Sequence, residues 1–307
     1  MRAMSESPRV SVVIPTYERA GVLPRALESA LSQTVRDLEV IVIDDGSTDD
    51  TPEVVRSVGD DRVRYERLGA NRGANAARNR GVELAAGRFV SFLDSDDELH
   101  PRHLERVLAT FEETRERCAG VFTSIRLVRD GRAAGVSRAP PGRLTAGQIC
   151  ADNVVGGFSC VTFRASIFGR VGRLDESLAS SQDYDFFLRV VTAGHGLGGL
   201  DEVLTTCHLG EGRISDDPAA AREGVRRILE KHRDRLTDEG RSRLHYYRGF
   251  RHAGAGQMAA ARRHFRRAIR CQPTRWLAYL HLAAAAHPAA FETLLSLKEA
   301  IRHRWRR

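Results

Sequence analysis

No two cysteines in this chain are spaced as CxxC. The five present, Cys118, Cys150, Cys160, Cys207 and Cys271, are scattered. That excludes a disulfide framework and a zinc site, and it points to reduced thiols in a cytoplasmic protein. No apolar run is long enough to span a bilayer, and the opening MRAMSESPR is too polar for a secretory signal. No GxGxxG follows the first hydrophobic run, which argues against a nicotinamide-dependent dehydrogenase. Acidic residues are in deficit: the net charge is +8, and much of the excess is arginine in the C-terminal third. Such a balance suits an anionic partner, whether a nucleotide phosphate, an anionic membrane surface or nucleic acid.

The 307 residues carry an alternating pattern at the start. VSVVIPTY (Val10 to Tyr17) is a β-branched run closed by a turn signal and predicts a buried strand. VLPRALESALSQ has apolar residues at helical spacing. EVIVIDDGS predicts a second strand ending on Asp44 and Asp45, and a short helix starts at Thr51 with Pro52 in its first turn. RVRYERL, GANAARNRGVELAAG, RFVSFL and PRHLERVLATFEE continue strand, helix, strand, helix, the second of these stopping at Gly87. Four such alternations predict an α/β fold, with a mostly parallel sheet flanked by helices. Ligands sit at the carboxyl ends of strands in such sheets. Tyr17, Asp44, Asp45, Asp94 and Asp96 all fall at those ends. Beyond residue 119 the alternation weakens; GVFTSIRLV and FSCVTF read as strands, and SSQDYDFFLRVVTAG reads as a helix. From Asp216 onward the pattern is all helical, which places a domain boundary near Ser215: residues 1–215 and 216–307.

RFVSFLDSDDELHP raises a physical question. A buried strand ends on Asp94, Asp96 and Asp97, whose like charges repel and resist desolvation. A cation or a helix N-terminus would offset that cost. Oxygen donors of this kind suit Mg²⁺ or Mn²⁺, with phosphate oxygens and water completing the shell. The bland alternative is that Ser95, Asp96 and Asp97 cap the helix after Pro101, and that Asp97 points away from any ligand.

The motifs VSVVIPTYER, ALESALSQT, EVIVIDDGSTDDT, NRGANAARNRG, FVSFLDSDDELHP and LDESLASSQDYDFFLRV, in this order, resemble the family-2 inverting glycosyltransferases. The resemblance runs from Val10 to about Ser215. It implies a GT-A catalytic domain, a nucleotide-diphosphate sugar donor, a UDP-sugar by family frequency, and a divalent metal, Mg or Mn. It further implies that Pro15, Thr16, Tyr17 and Glu18 form the first nucleotide-contacting loop. Asp45, with Asp44 beside it, matches the carboxylate that reads the nucleobase, and Arg78 lies in the segment that holds the nucleotide. Asp94, Ser95 and Asp96 match the DXD motif, with Asp96 and Asp94 on the metal. His208 lies where some relatives place a metal or phosphate contact, and Asp183 matches the catalytic base. One departure stands out: the family usually has Glu before that base, and here the residue is Gln182.

Each site residue also has a plain structural reading. Asp183 follows Ser180 and Ser181, where a carboxylate commonly opens a helix. Asp45 suits a cap on the turn DDGSTDD. Tyr17 and Arg78 read equally as packing and surface residues, and His208 as a structural histidine after a strand. HYYRGFRHAGAGQMAAARRHFRRAIRCQP resembles a tetratricopeptide repeat, with Gly249, Ala261, Phe265, Ala268 and Pro273 at that repeat's small, aromatic and proline positions. In the tail, Leu294, Leu297, Ile301 and Trp305 form one helical stripe among Lys298, Arg302, Arg304, Arg306 and Arg307, a pattern that suits an anionic membrane surface as well as packing on the chain itself. The expected protein is a cytoplasmic enzyme of cell-surface polysaccharide or glycolipid synthesis, peripheral on the inner membrane face. It would act on a saccharide or lipid-linked acceptor and have no nucleic-acid partner. The rival readings are a sugar-phosphate nucleotidyltransferase, which needs a Gly-rich basic loop where PTYER stands, and a non-catalytic interaction protein working through its helical tail.

Overall fold

A computed structural model of the chain describes residues 8–114, 117–210, 217–287 and 291. The chain forms two units. One comprises Met1–Ile149, Asn153–Leu178 and Gln182–Arg213; the other comprises Cys150–Asp152, Ala179–Ser181 and Ile214–Arg307. Ser215 and the tail stripe of Leu294, Leu297, Ile301 and Trp305, with the basic residues around it, lie outside the described residues.

The first unit opens with the expected alternation: β1 (Val10–Thr16), α1 (Leu23–Leu31), β2 (Leu38–Asp44), α2 (Thr51–Ser57), β3 (Val63–Arg67), α3 (Ala74–Leu84) and β4 (Phe89–Phe92). β1 pairs in parallel with β2 and β4, and β2 pairs in parallel with β3. β1 and β2 are buried along their whole length, as β-branched strands covered on both faces must be. Val10, Val12 and Ile14 join a core with Leu23, Ala26 and Leu27 of α1 and with Leu104, Val107 and Leu108 of α4 (His103–Thr114). Val13 points the other way, towards Gly81 of α3. On that second face Phe92, Phe163, Phe168 and Phe186 form edge-to-face and stacked contacts.

Two-residue β5 (Glu98–Leu99) stands between the acidic turn and α4. After α4 come β6 (Cys118–Arg129), β7 (Arg132–Ser137), β8 (Gly142–Leu144), α5 (Ala146–Ala151), β9 (Val161–Arg164), α6 (Ile167–Val171), α7 (Gln182–Thr192) and β10 (Gly196–His208). The sheet runs β3-β2-β1-β4-β9-β6-β10-β5, with β7 on β6 and β8 on β10. β9 is antiparallel to β4 and β6, while β10 is parallel to β6. The sheet is therefore mixed but mostly parallel in its core, as expected.

Some boundaries differ from the sequence pattern for identifiable reasons. α3 stops at Leu84, not Gly87, because Ala85 turns extended. Gly87 instead lies against β1, where a Cβ would come within 2.6 Å of the Ser11 nitrogen. FSC of the predicted strand FSCVTF is a single 3-10 turn, Phe158–Cys160, that leads into β9. β10 begins as GLGGL because backbone crowds it: a Cβ on Gly199 would lie 1.8 Å from the Pro140 carbonyl oxygen. Those glycines hide the strand from any reading of alternating side chains.

The second unit is helical: α8 (Pro218–Lys231), α9 (Asp238–Gly254), α10 (Met258–Cys271) and α11 (Trp276–Ala284). Asp217 caps α8 by accepting from the Ala219 N–H, and Thr237 caps α9 by accepting from the Gly240 N–H. Gly249 lets α9 and α10 approach, since a Cβ there would meet the Phe265 ring at 2.8 Å. Ala253, Ala261, Phe265, Ala285 and Phe291 form the small core between these helices.

Gly81 is the tightest point between α3 and the sheet. A Cβ there would lie 2.2 Å from Val13 Cγ1, in a fully buried contact. Gly81→Ala should therefore lower the unfolding free energy by about 1–3 kcal/mol. Adding Val13→Ala should recover part of that loss, so that the double variant is more stable than the sum of the singles requires. Chemical denaturation checks both; strict additivity would mean that the two residues do not meet.

Candidate active site

The loops after β1 and β2 are tied together. Glu18 has φ +52°. Its carboxylate accepts from the Thr48 N–H at 2.7 Å and hydroxyl at 2.9 Å, while its own N–H donates to Ser47 Oγ at 2.9 Å. Pro15 and Thr16 are buried within β1; Thr16 Oγ1 is a buried oxygen without a hydrogen-bond partner. Tyr17 and Glu18 are the exposed residues of the predicted loop, Tyr17 at 44%.

Asp44 and Asp45 are both buried. Asp44 accepts from the Ser47 N–H at 2.8 Å and from the Tyr65 hydroxyl at 2.6 Å. It is thus Asp44, rather than Asp45, that caps the turn after β2. Asp45 reaches across to the entry of α3, where it accepts from the Arg72 and Gly73 N–H groups at 2.8 and 2.7 Å. Gly46 makes this crossing possible with φ +87° and a clearance that leaves no room for a side chain against Ala70.

Arg78 is the junction of the site. It is buried on α3 and donates to Asp94 Oδ1 at 2.6 Å and to Gln182 Oε1 at 3.1 Å. Its guanidinium lies 4.7 Å from the Phe158 ring centroid, a desolvated cation–π contact. Three elements therefore meet on one side chain: α3, the turn after β4 and the first residue of α7. Arg78 is therefore no surface residue; it is packed at this junction. Gln182 also donates to the Leu178 carbonyl at 2.9 Å, so its amide serves both neighbours.

Next to Gln182, Asp183 accepts from Asn153 Nδ2 at 3.0 Å. Burial pushes its carboxyl above the usual value of 3.8; the Tyr184 N–H, the Asn153 amide and the Arg78 charge pull the other way without cancelling it. Asn153 is a site residue that sequence reasoning missed. It lies in a polar loop with no motif, and only the fold brings it to α7.

The acidic turn divides in two. Asp97 neither points away nor caps α4, which begins beyond β5. It is buried, accepting from the Ser159 hydroxyl at 2.6 Å, the His208 N–H at 3.1 Å and the Cys207 thiol at 3.1 Å. Burial, and then the charges of Asp94 and Asp96, push its carboxyl up to about 7. Ser95 is buried. Asp94 and Asp96 are more open, with side chains 36% and 24% exposed. The Asp96 carbonyl accepts from Arg25 at 2.6 Å, and its carboxylate lies 4.0 Å from Arg19. The His208 ring is paired with Glu98. Among the described residues, no group of three or more His, Cys, Asp or Glu is disposed to hold an ion. Asp94 and Asp96 carry oxygen donors of the type a hard divalent cation takes together with phosphate oxygens and water, with Asp94 Oδ1 paired to Arg78.

Breaking the Arg78 junction should be costly. Arg78→Met leaves Asp94 and Gln182 without their donor and should lower the unfolding free energy by about 2–3 kcal/mol, less than for a fully buried pair because Asp94 is partly open. An unchanged denaturation midpoint would show that the guanidinium holds nothing together.

Comparison with known proteins places the geometry in a family. Residues 11–172 match the sequence model for "Glycosyl transferase family 2". The chain is 32% identical over 226 residues to the succinoglycan biosynthesis protein ExoO of Rhizobium meliloti, covering 69% of this chain and 64% of that protein. It is 40% identical over 129 residues to a GalNAc(5)-diNAcBac-PP-undecaprenol beta-1,3-glucosyltransferase of Campylobacter jejuni, covering 40% of each. These matches span less than two thirds of the relatives' own lengths. In fold, the chain is similar to residues 1–349 of S. aureus TarS, solved in complex with UDP-GlcNAc. The TM-score is 0.64 at 20% identity, over 95% of this chain and 92% of that one. A match over more than half of the chain, on a sheet whose strand ends gather these carboxylates, settles the assignment: the chain belongs to glycosyl transferase family 2.

Proposed function

We propose that this protein transfers a sugar from a nucleotide-diphosphate sugar, a UDP-sugar, to the hydroxyl of a saccharide or lipid-linked acceptor, with inversion, in cell-surface polysaccharide or glycolipid synthesis. The observation that carries the reading is the Arg78 junction, which sets Asp94 of the acidic turn and Gln182–Asp183 of α7 around one guanidinium. The names of the relatives support it, as does the nucleotide sugar held by the structural neighbour. No helix among the described residues is long and apolar enough to cross a membrane, which is compatible with an enzyme peripheral on the inner, cytoplasmic face. Contact with that face through the tail is part of the proposal, although those residues lie outside the described ones.

In this reading Asp183 takes the proton of the acceptor hydroxyl while that oxygen attacks the anomeric carbon. The bond from that carbon to the donor phosphate breaks on the opposite face, the nucleoside diphosphate leaves, and the configuration inverts. Asn153 and the Tyr184 N–H orient the carboxylate. Arg78 fixes the distance between the base and the acidic turn. Tyr17 offers a ring to the nucleotide, and Asp45 keeps the loops after β2 and before α3 in register for it. Asp94 and Asp96 would hold Mg²⁺ or Mn²⁺, which when bound neutralises the charge of the departing diphosphate. A panel of nucleotide sugars scored by product tests the whole reading: release of a nucleoside diphosphate is expected, and release of pyrophosphate would turn it into a nucleotidyltransferase.

Asp183→Asn separates catalysis from stability. The amide still accepts from Asn153 but takes no proton, so turnover should fall by about 10²-fold or more with donor affinity retained. The sign for stability is opposite. A carboxyl whose folded pKa lies above its unfolded 3.8 loses stability as pH rises from the unfolded value through the folded one. The Asn variant escapes that loss and should be at least as stable as wild type at neutral pH. In the wild type, the same upward shift places the acid limb of kcat/KM above that of an ordinary carboxylate. A variant that keeps wild-type turnover would leave Asp183 as a helix residue only.

Asp96→Ala should abolish metal-stimulated donor binding while leaving the fold intact. Calorimetry of donor with and without Mn²⁺ reads this directly; Mn²⁺ enhancement equal to wild type would remove Asp96 from the metal site.

A further inference from the structure

α11 is inside out. Its buried face is Ala278, His281 and Ala285, whereas Trp276, Tyr279 and Leu280 are 67%, 47% and 41% exposed. With the exposed Ala283 they follow i, i+3, i+4, i+7 and make one outward stripe; Leu277 flanks it at 37%. No charged residue falls between Trp276 and His287. The preceding helix repeats the spacing with the opposite chemistry. Arg263, Arg266, Arg267 and Arg270 are all exposed on α10 at i, i+3, i+4, i+7. From Gly240 to Phe291 the chain carries ten arginines and not one Asp or Glu.

We propose that α10 and α11 form an interfacial docking surface for an anionic lipid bilayer, with the Trp276, Tyr279 and Leu280 stripe seated among headgroups and acyl chains and the α10 arginines on lipid phosphates. Charge selects this occupant. A second copy would set one arginine-rich surface against another, with no carboxylate in the segment to offset it. A neutral apolar partner would leave the arginines unused. Trp and Tyr beside Leu suit the boundary between headgroup and hydrocarbon, where a ring is half wet and half buried. Nine residues make a helix of about 14 Å, too short for a hydrocarbon layer of roughly 30 Å, so α11 lies in the plane of the surface. No residue beyond His287 is needed for this surface, which does not depend on the assignment of sugar transfer.

The chain has two tryptophans, so Trp305→Phe makes Trp276 the sole reporter. Its emission should shift to the blue with phosphatidylcholine–phosphatidylglycerol vesicles, and not with phosphatidylcholine alone. In flotation assays on the otherwise unchanged full chain, Arg266→Gln/Arg270→Gln should weaken vesicle binding by roughly twenty-fold at physiological salt. Tyr279→Ser/Leu280→Ser, both exposed, should weaken it by about tenfold or more with the melting temperature unchanged. Added salt should weaken the native protein's binding. Several results would overturn the proposal: a Trp276 spectrum indifferent to anionic vesicles, binding that ignores all four substitutions, or a blue shift with polyglutamate but not with vesicles. The last would make the surface a dock for an acidic protein.

Discussion

A buried guanidinium whose charge meets no acceptor is costly in a protein interior. Arg78 imposes that constraint on the catalytic unit. It sits on α3, which Gly81 lets down onto β1, and its acceptors must come from whatever lies across the sheet end. They are Asp94, two residues beyond β4, and Gln182, at the start of α7. Asp94 and Gln182 take the two Nη groups and leave the buried Nε without a hydrogen-bond partner, so α7, and with it Asp183, stands where the guanidinium finds an acceptor. The phenylalanine cluster of Phe158, Phe163 and Phe186 supplies the apolar wall that makes the satisfaction obligatory. Packing on one face of the sheet thus dictates where a titratable group stands at its edge.

The carboxylates gathered at the strand ends do two kinds of work. Asp44, Asp45 and Asp97 are buried and occupied by hydroxyl, thiol and N–H donors. They fasten loops: Asp44 within its own turn, Asp45 to the entry of α3, and Asp97 to β10 and the 3-10 turn. Asp94 and Asp96 are more open. The inner set ties down the loops that carry the outer pair. Burial, and after it the charges of Asp94 and Asp96, raise the pKa of the Asp97 carboxyl.

Much of this was legible in the sequence, and the residues show why. β1 and β2 announce themselves because parallel strands buried on both faces have no polar positions to confuse the pattern. The motif carboxylates sit at strand ends because that is where a parallel sheet presents its loops. β10 was illegible because crowding by backbone leaves only glycine at Gly196 and Gly199, with Gly198 between them. Asn153 was illegible because its role depends on a contact thirty positions away. Asp97 looked like its neighbours, and only the fold separates a buried tie from an open ligand. The inside-out polarity of α11 was invisible to periodicity because both of its faces are apolar or aromatic, so a count of hydrophobic residues could not tell which one the core would take.

Gln182 is where the chain departs from its family, and the geometry gives the departure a consequence. A glutamate there would face Arg78 as an anion and stand beside Asp183 as a like charge, raising the Asp183 pKa by repulsion. Glutamine keeps the hydrogen bond to Arg78 and removes the repulsion. Arg78, paired with Asp94, still acts on Asp183 as an attraction that lowers its pKa. What holds the Asp183 carboxyl above its ordinary value is therefore burial and not a neighbouring anion. Ionic strength screens repulsion between charges, but it does little to the cost of keeping water away from one. The titration of Asp183 thus depends on its desolvation, and it rests on the same placement of α7 that gives Arg78 its acceptor Gln182.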